Sequence, residues 1–487
     1  MIRSTARVRG LSSRWNLARQ RREPDPELRR DLGLASATLL VVGGIIGSGI
    51  FFTPAEVARA LPAGPWVLGV WVLGGLVALA GALTYAELGA MMPDAGGPYV
   101  YIREAFGPLP AFLYGWMVLA SIATGALAAV AMGFAGYLGR FVSLAPAGGP
   151  LGVAVLTIAV MSAVNYLGVK PGAVTQNVLA AAKILALGAL IVLGLVLWAR
   201  VGAPPPVPNA PAPRASTAAA LAAAFVPVLF TIGGWQQMNM VAGEIRDPGR
   251  VIPRALMIGI AIVVAIYLGA NAVYVHALGR DGLAASRAVA ADTAGRLVGG
   301  AGATAVTVAA MLSILGFVNV AVLTNSRIVY AMARDGHFLA GAARVHRRFG
   351  SPHVAIVIMG AWAILLLLLT RGDVGALLSG VVFADWIFFG LGAASVFALR
   401  RLRPDAERPY RALGYPAVPA FFVAAAVVGI VSAIVAAPRM SAVGAGLLLA
   451  GAAVFAVRRP GGLAALHGDD RKTRRAPPFD PERPAGS

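Results

Sequence analysis

Two glycine clusters interrupt apolar runs of this chain: Gly43-Gly44-Ile45-Ile46-Gly47-Ser48-Gly49 in the first run, and Gly233-Gly234 within Phe230 to Trp235. Glycine costs about 1 kcal/mol against alanine inside a helix. At membrane depth, backbone that leaves the helix is tolerated only where it lines a cavity or meets a ligand. A helix broken there exposes N–H groups at the start of one half and C=O groups at the end of the other. The first end suits a carboxylate and the second an ammonium. A zwitterionic α-amino acid carries both groups on one carbon. Close packing of helices through small residues is the competing reading for either cluster alone. Matching positions in two runs, with the polar Ser48 and Thr231 at the breaks, favour the broken-helix reading.

Two charges lie inside other apolar runs. Lys183 stands about eleven residues into a run, roughly 16 Å from its end and close to mid-membrane, where a charge costs at least ~2.5 kcal/mol. Snorkelling to the interface is its bland explanation. Asp385, in Phe383-Ala384-Asp385-Trp386, could pair with an arginine, carry a proton or attract a cationic ligand. Asn319 is expected to bridge helices, and Glu87 and Glu244 to pair with loop arginines near span ends. The five histidines have no metal-ligand spacing, so neither a metal nor a cofactor is expected.

The elements that position these groups are membrane helices. Of the 487 residues, 58% are hydrophobic and 13% charged, too little polar surface for a soluble chain of this size. The apolar runs reach the ~20 residues needed to cross ~30 Å of hydrocarbon. We place spans at 34–59, 65–91, 109–138, 150–168, 172–199, 217–243, 252–278, 301–326, 352–370, 374–399, 414–437 and 440–457. Of the 41 basic residues, 31 flank spans on the face of both termini, nine on the other, and Lys183 lies within a span. That imbalance puts both termini in the cytoplasm. Residues 1–33, with nine arginines and no apolar run, read as a soluble basic tail and not a cleaved signal, as do 458–487 at the other end. The two glycine clusters lie five spans apart, so their spans run in opposite directions, as in inverted repeats.

The net charge of +20 sits at span flanks, which argues against nucleic-acid binding. No lysine has phosphate-loop spacing, so transport would be driven by a gradient or by exchange, not by ATP. With no cysteine, thiolate metal sites and disulfides are excluded.

The runs GGIIGSGIFFTP (43–54), TYAELGAMMPDAGGPYVYIREAFGPLPAFLYGW (84–116), GGWQQMNMVAGEIRDPGRVIPRA (233–255), SRIVYAMARDG (326–336) and RPDAERPYRALGYPAVPA (403–420) resemble the amino acid-polyamine-organocation superfamily, most of all its L-type amino acid transporter branch. The resemblance implies an all-α fold of about twelve transmembrane helices. Two inverted five-helix repeats (about 34–199 and 217–399) and two extra helices (about 414–457) would make up a transporter domain at 34–457. It implies backbone N–H groups at Ser48 and Gly49 for the substrate carboxylate, carbonyls of Ile45, Phe230 and Gly233 for its amine, and Phe230 as an aromatic gate. In proton-coupled members a lysine in the fifth helix replaces a sodium ion, a role that falls on Lys183. Gln236 stands where L-type members often have asparagine, which bears on selectivity. Without cysteine there is no disulfide-linked heavy chain, and a free-standing transporter of a bacterial cell membrane is expected.

The leading expectation is secondary transport of neutral amino acids by proton symport or exchange. A polyamine or cationic amino acid carrier is the runner-up, on the strength of Asp385. A non-transporting membrane sensor is the alternative from another class. A membrane enzyme would need a cluster of acid/base groups, which the spans do not supply, and a channel would need rings of charge or carbonyls.

Overall fold

The computed structural model describes residues 28–202, 204, 207, 217–377 and 381–458. The tails at 1–27 and 459–487 lie outside the described residues.

The described chain is helical, in the order α1 (Leu34–Ile45), α2 (Thr53–Ala60), α3 (Gly64–Met91), α4 (Pro98–Phe106), α5 (Pro108–Leu138), α6 (Gly149–Tyr166), α7 (Val169–Val196), α8 (Thr217–Ile232), α9 (Gln237–Met240), α10 (Pro248–Ala285), α11 (Val289–Val298), α12 (Gly300–Arg334), α13 (His353–Leu369), α14 (Val374–Leu377), α15 (Val381–Leu402), α16 (Ala417–Ala436) and α17 (Pro438–Arg458). Nine described helices are long and apolar enough to cross a membrane, and three shorter apolar ones lie at Leu34–Ile45, Ala223–Ile232 and His353–Leu369. Among the described residues, each expected span falls largely on helix. The first and sixth are each split in two, at Ile46–Phe52 and at Gly233–Gln236.

Local sequence explains the boundaries. Proline occupies the first turn of α2, α3, α4, α5, α6 and α10, where its missing N–H costs nothing. Gly107, at φ +93°, turns the chain between α4 and α5. Two helices stand where the sequence suggested loops: amphipathic α4 on the face of the termini, and α11 on the opposite face. Within α5, Val118–Ile122 forms a π-turn, a widening of the helix common at functional positions.

Burial sorts the residues as lipid demands. Along α7, Val174, Val178, Leu185, Val192 and Val196 are exposed, while Gln176, Ala180, Lys183, Leu187 and Leu190 are buried at helical spacing. The apolar stripe faces outward and the lysine faces the protein, the reverse of a water-soluble helix. The interior holds interlocked aromatics: Trp235 packs edge-on against Tyr85 at 5.0 Å and stacks with Phe389 at 6.2 Å.

Candidate functional site

The first break follows from α1 running out at Ile45. Ile46 N–H still donates to Val42 at 2.8 Å, and Gly47 N–H turns back to Ile45 at 2.9 Å. The next three N–H groups, of Ser48, Gly49 and Ile50, find no acceptor among the described residues. They point from the start of the turn Gly49–Phe51 that leads into α2. At the second break, Gly233 N–H reaches Phe230 at 3.4 Å and Gly234 N–H is held by Gln236 Oε1 at 3.0 Å. The carbonyls of Ile232 and Gly233 have no donor among the described residues.

The breaks cross backbone to backbone. A Cβ on Gly234, whose φ is +100°, would lie 2.2 Å from the Gly44 carbonyl oxygen, and one on Gly44 would lie 2.7 Å from the Gly234 oxygen. Only glycine permits that approach. Tyr267 of α10, fully enclosed, places its hydroxyl 3.2 Å from the Ile45 oxygen and 3.3 Å from the Thr231 oxygen. Ile45, one of the carbonyls expected to take an amine, therefore already faces two donors, Gly47 N–H and Tyr267.

A cavity of about 1500 Å³ opens between the breaks, and Ile45, Ser48, Gly49, Phe230, Gly233, Gln236 and Asp385 all line it. It rises past Phe230, which is 42% exposed, to Arg59 and Tyr137 on the face away from the termini. The glycines differ in what they leave room for. A Cβ at Gly49 would meet Thr231 Cγ2 at 2.6 Å, whereas one at Gly233 would find nothing nearer than 3.4 Å. Gly49 is thus small for its protein neighbour, and Gly233 leaves space to the cavity.

Lys183 stands behind the first break, outside the cavity lining. Its ammonium donates to the carbonyls of Ile46 at 2.5 Å, Ser313 at 3.2 Å and Gly43 at 3.5 Å. Ser313 of α12 adds its hydroxyl to the Gly47 oxygen at 2.8 Å. The lysine does not snorkel: it is fully buried. Among the described residues no cluster of acidic, histidine or cysteine side chains could hold a metal.

The face of the termini is closed. Leu32 N–H donates to Glu244 at 3.0 Å and Arg246 N–H to Leu32 at 2.9 Å, stitching the start of α1 to the chain after α9. Beneath this stitch Arg327 grips both carboxylate oxygens of Glu244 at 2.7 and 3.2 Å, both side chains wholly buried. The expected loop arginine is thus corrected to one inside α12. An arginine bonded through two of its nitrogens to a dry carboxylate is among the stronger polar contacts available. Glu87 receives Arg400 at 2.6 Å and Arg408 at 3.4 Å, one from the end of α15 and one from the following loop. Asn319 bridges helices, donating to Gly172 at 2.9 Å and accepting from Asn165 at 2.9 Å.

The sequence reading missed Tyr267, Ser313 and the helix arginine. A tyrosine or serine in an apolar span looks like packing until the partner break is in place. Arg327 sits within SRIVYAMARDG, one residue beyond the span placed at 301–326, so it was counted with the loop charges, whereas α12 runs on to Arg334.

The model for the family described as amino acid permease matches residues 32–457. The b(0,+)-type amino acid transporter 1 of Homo sapiens is 34% identical over 400 residues, covering 80% of this chain and 80% of that protein. The human large neutral amino acids transporter small subunit 2 is 32% identical over 394 residues, covering 79% of this chain and 72% of that protein. Helical breaks, a cavity between them and a family match across nearly the whole transmembrane part agree, and the chain belongs to the amino acid permease family of the amino acid-polyamine-organocation superfamily.

Proposed function

We propose that this chain moves an α-amino acid across the cell membrane by alternating access, with the α-carboxylate on the N–H groups of Ser48 and Gly49 and the α-ammonium on carbonyls of the second break. One observation carries this reading: the N–H groups of Ser48 and Gly49, without acceptors, and the carbonyl of Gly233, without a donor among the described residues, belong to residues that line the same cavity. Such groups in a low-dielectric wall are costly when unmade, ~1–3 kcal/mol each, and a zwitterion meets both kinds at once. The Gly233 carbonyl carries the amine; the Phe230 carbonyl joins it only by sharing with Gly233 N–H, and the Ile45 carbonyl only by sharing with Gly47 N–H and Tyr267. Phe230 is the gate, standing over the site from the open side; its closure would shut water out. Gln236 shapes the floor by holding the second break open through Gly234.

The chain reads as two inverted five-helix repeats, about 34–199 and 217–399, with extra helices at about 414–457. Equivalent breaks in the first helix of each support it. With both termini cytoplasmic, as the charge asymmetry indicates, the cavity described above opens to the outside.

Lys183 is the coupling group in this proposal. Its three carbonyl partners belong to the first break and to α12, so an ammonium is satisfied only while those two elements stay together. When they separate, the ammonium loses partners and gives its proton to the cytoplasmic side. One proton then accompanies each substrate, with no sodium required. The runner-up, exchange with Lys183 as a fixed strut, makes uptake indifferent to a proton gradient.

Uptake of radiolabelled amino acids into proteoliposomes tests the proposal, with a panel of unlabelled amino acids as competitors. Saturable uptake absent from protein-free vesicles is expected. A purified, folded chain that neither takes up nor binds any amino acid overturns it.

A further inference from the structure

The cavity wall on α15 holds a carboxyl group that no cation among the described residues pairs. Asp385 lines the cavity, and among the described residues it makes no ion pair and no hydrogen bond. The other charged groups lining the cavity are Glu56 and Arg59. Arg59 is committed elsewhere, donating to the carbonyls of Ala284 at 2.7 Å and Ser286 at 3.2 Å. Lys183 lies behind the break on its own carbonyls. No cation among the described residues is therefore placed to serve Asp385, and a carboxylate that is ionised in a low-dielectric wall calls for one.

Its distance from the α-groups is set by helix geometry. Phe389 places its ring 4.0 Å from where a Cβ on Gly233 would sit, level with the second break. Asp385 is four residues earlier on α15, so it shares the face of Phe389 and stands about 6 Å nearer the open mouth. An extended lysine side chain places its ammonium about 6 Å from its α-carbon on a four-carbon stem. Tyr114, Trp386 and Phe389 line the same wall. They offer apolar surface to the methylene stem and ring faces to a cation.

We propose that Asp385 is the anion of a side-chain subsite and that the preferred substrates are cationic α-amino acids whose charge lies three to four methylenes from the α-carbon. This rests on the proposed seat of the α-groups at the two breaks and deepens it. A diamine lacks the carboxylate that the Ser48 and Gly49 N–H groups would hold, so amino acids are favoured over amines.

Competition binding on the purified full chain tests it with L-lysine, its uncharged isostere L-norleucine, and 1,5-diaminopentane. Wild type, Asp385→Asn and Asp385→Glu are compared. Lysine should compete at least ~10-fold better than norleucine in wild type, as a desolvated charge pair implies. Asp385→Asn should remove that preference while leaving norleucine unchanged, and Asp385→Glu should restore part of it. Norleucine equal to or better than lysine in wild type overturns the subsite while leaving the seat at the breaks intact. So does an Asp385→Asn variant that weakens both ligands equally. Diaminopentane competing as well as lysine overturns the α-carboxylate seat itself, and the subsite falls with it.

Discussion

Replacing Glu244 by glutamine should open the closed face of this protein. In the closed arrangement Arg327 has no exposure and holds Glu244 through two hydrogen bonds. After the substitution it keeps only the Leu323 carbonyl at 2.6 Å and the Ser326 hydroxyl at 3.1 Å, plus whatever one amide oxygen provides. Removing one partner of a buried ion pair costs about 3–5 kcal/mol. The amide retains one acceptor, so the lower end, about 3 kcal/mol, is the relevant figure. Once the face opens, water reaches the guanidinium, and the penalty weighs on the closed state alone. At 1.4 kcal/mol per factor of ten, the equilibrium shifts roughly 100-fold toward opening. The native chain has no cysteine, so a single introduced thiol has no background. Ala242 lies fully buried in the stitched segment, and Ala242→Cys reports opening through its rate of labelling by a polar maleimide. The rate should rise by one to two orders of magnitude with Glu244→Gln. Ala277→Cys, buried in α10 toward the other face, should not change. A rise under roughly threefold at Ala242, or an equal rise at both thiols, refutes the assignment of this pair as the lock.

Three further outcomes follow from the same geometry. Lys183→Ala removes the donor nearest the Ile46 carbonyl, and uptake should lose its stimulation by external acid. Stimulation kept in the variant, or absent from wild type, makes the lysine a strut. Phe230→Ala should leave the fold intact, since that ring is 42% exposed to the cavity, yet should abolish concentrative uptake; unchanged uptake kinetics would make the ring a packing group. Gly233→Ala, with 3.4 Å to its nearest neighbours, should insert normally and weaken substrate binding, whereas Gly44→Ala, aimed 2.7 Å from a backbone oxygen, should lower thermal stability. Equal thermal shifts in the two variants would contradict this division of roles.

The broken spans were legible because glycine in an apolar helix is expensive and these residues gain nothing from lipid. Lys183 was legible for the same reason: a charge in hydrocarbon requires partners. Sequence could not say which partners, because Gly43, Ile46 and Ser313 become neighbours only when α1 and α12 pack on α7. The division of labour among the glycines was equally hidden. Gly44 and Gly234 permit the crossing, Gly49 makes room for Thr231, and Gly233 opens to the cavity. Sequence treats them as one class, since the difference lies in what each absent Cβ would strike. Glu244 was expected to pair near a span end, and it does, with a helix arginine first counted among the loop charges. The Ile45 carbonyl was expected to take an amine, and the folded backbone and the position of Tyr267 show that two donors, Gly47 N–H and the Tyr267 hydroxyl, already face it.

The central claim is that the two breaks recognise an α-carboxylate and an α-ammonium together. Proteoliposome uptake of a radiolabelled L-amino acid, challenged with analogues lacking only the α-amine or only the α-carboxylate, tests it most directly. The account predicts saturable uptake that the intact amino acid blocks and that neither analogue reduces at the same concentration. Equal inhibition by either analogue would contradict it, because one break would then suffice to hold the substrate.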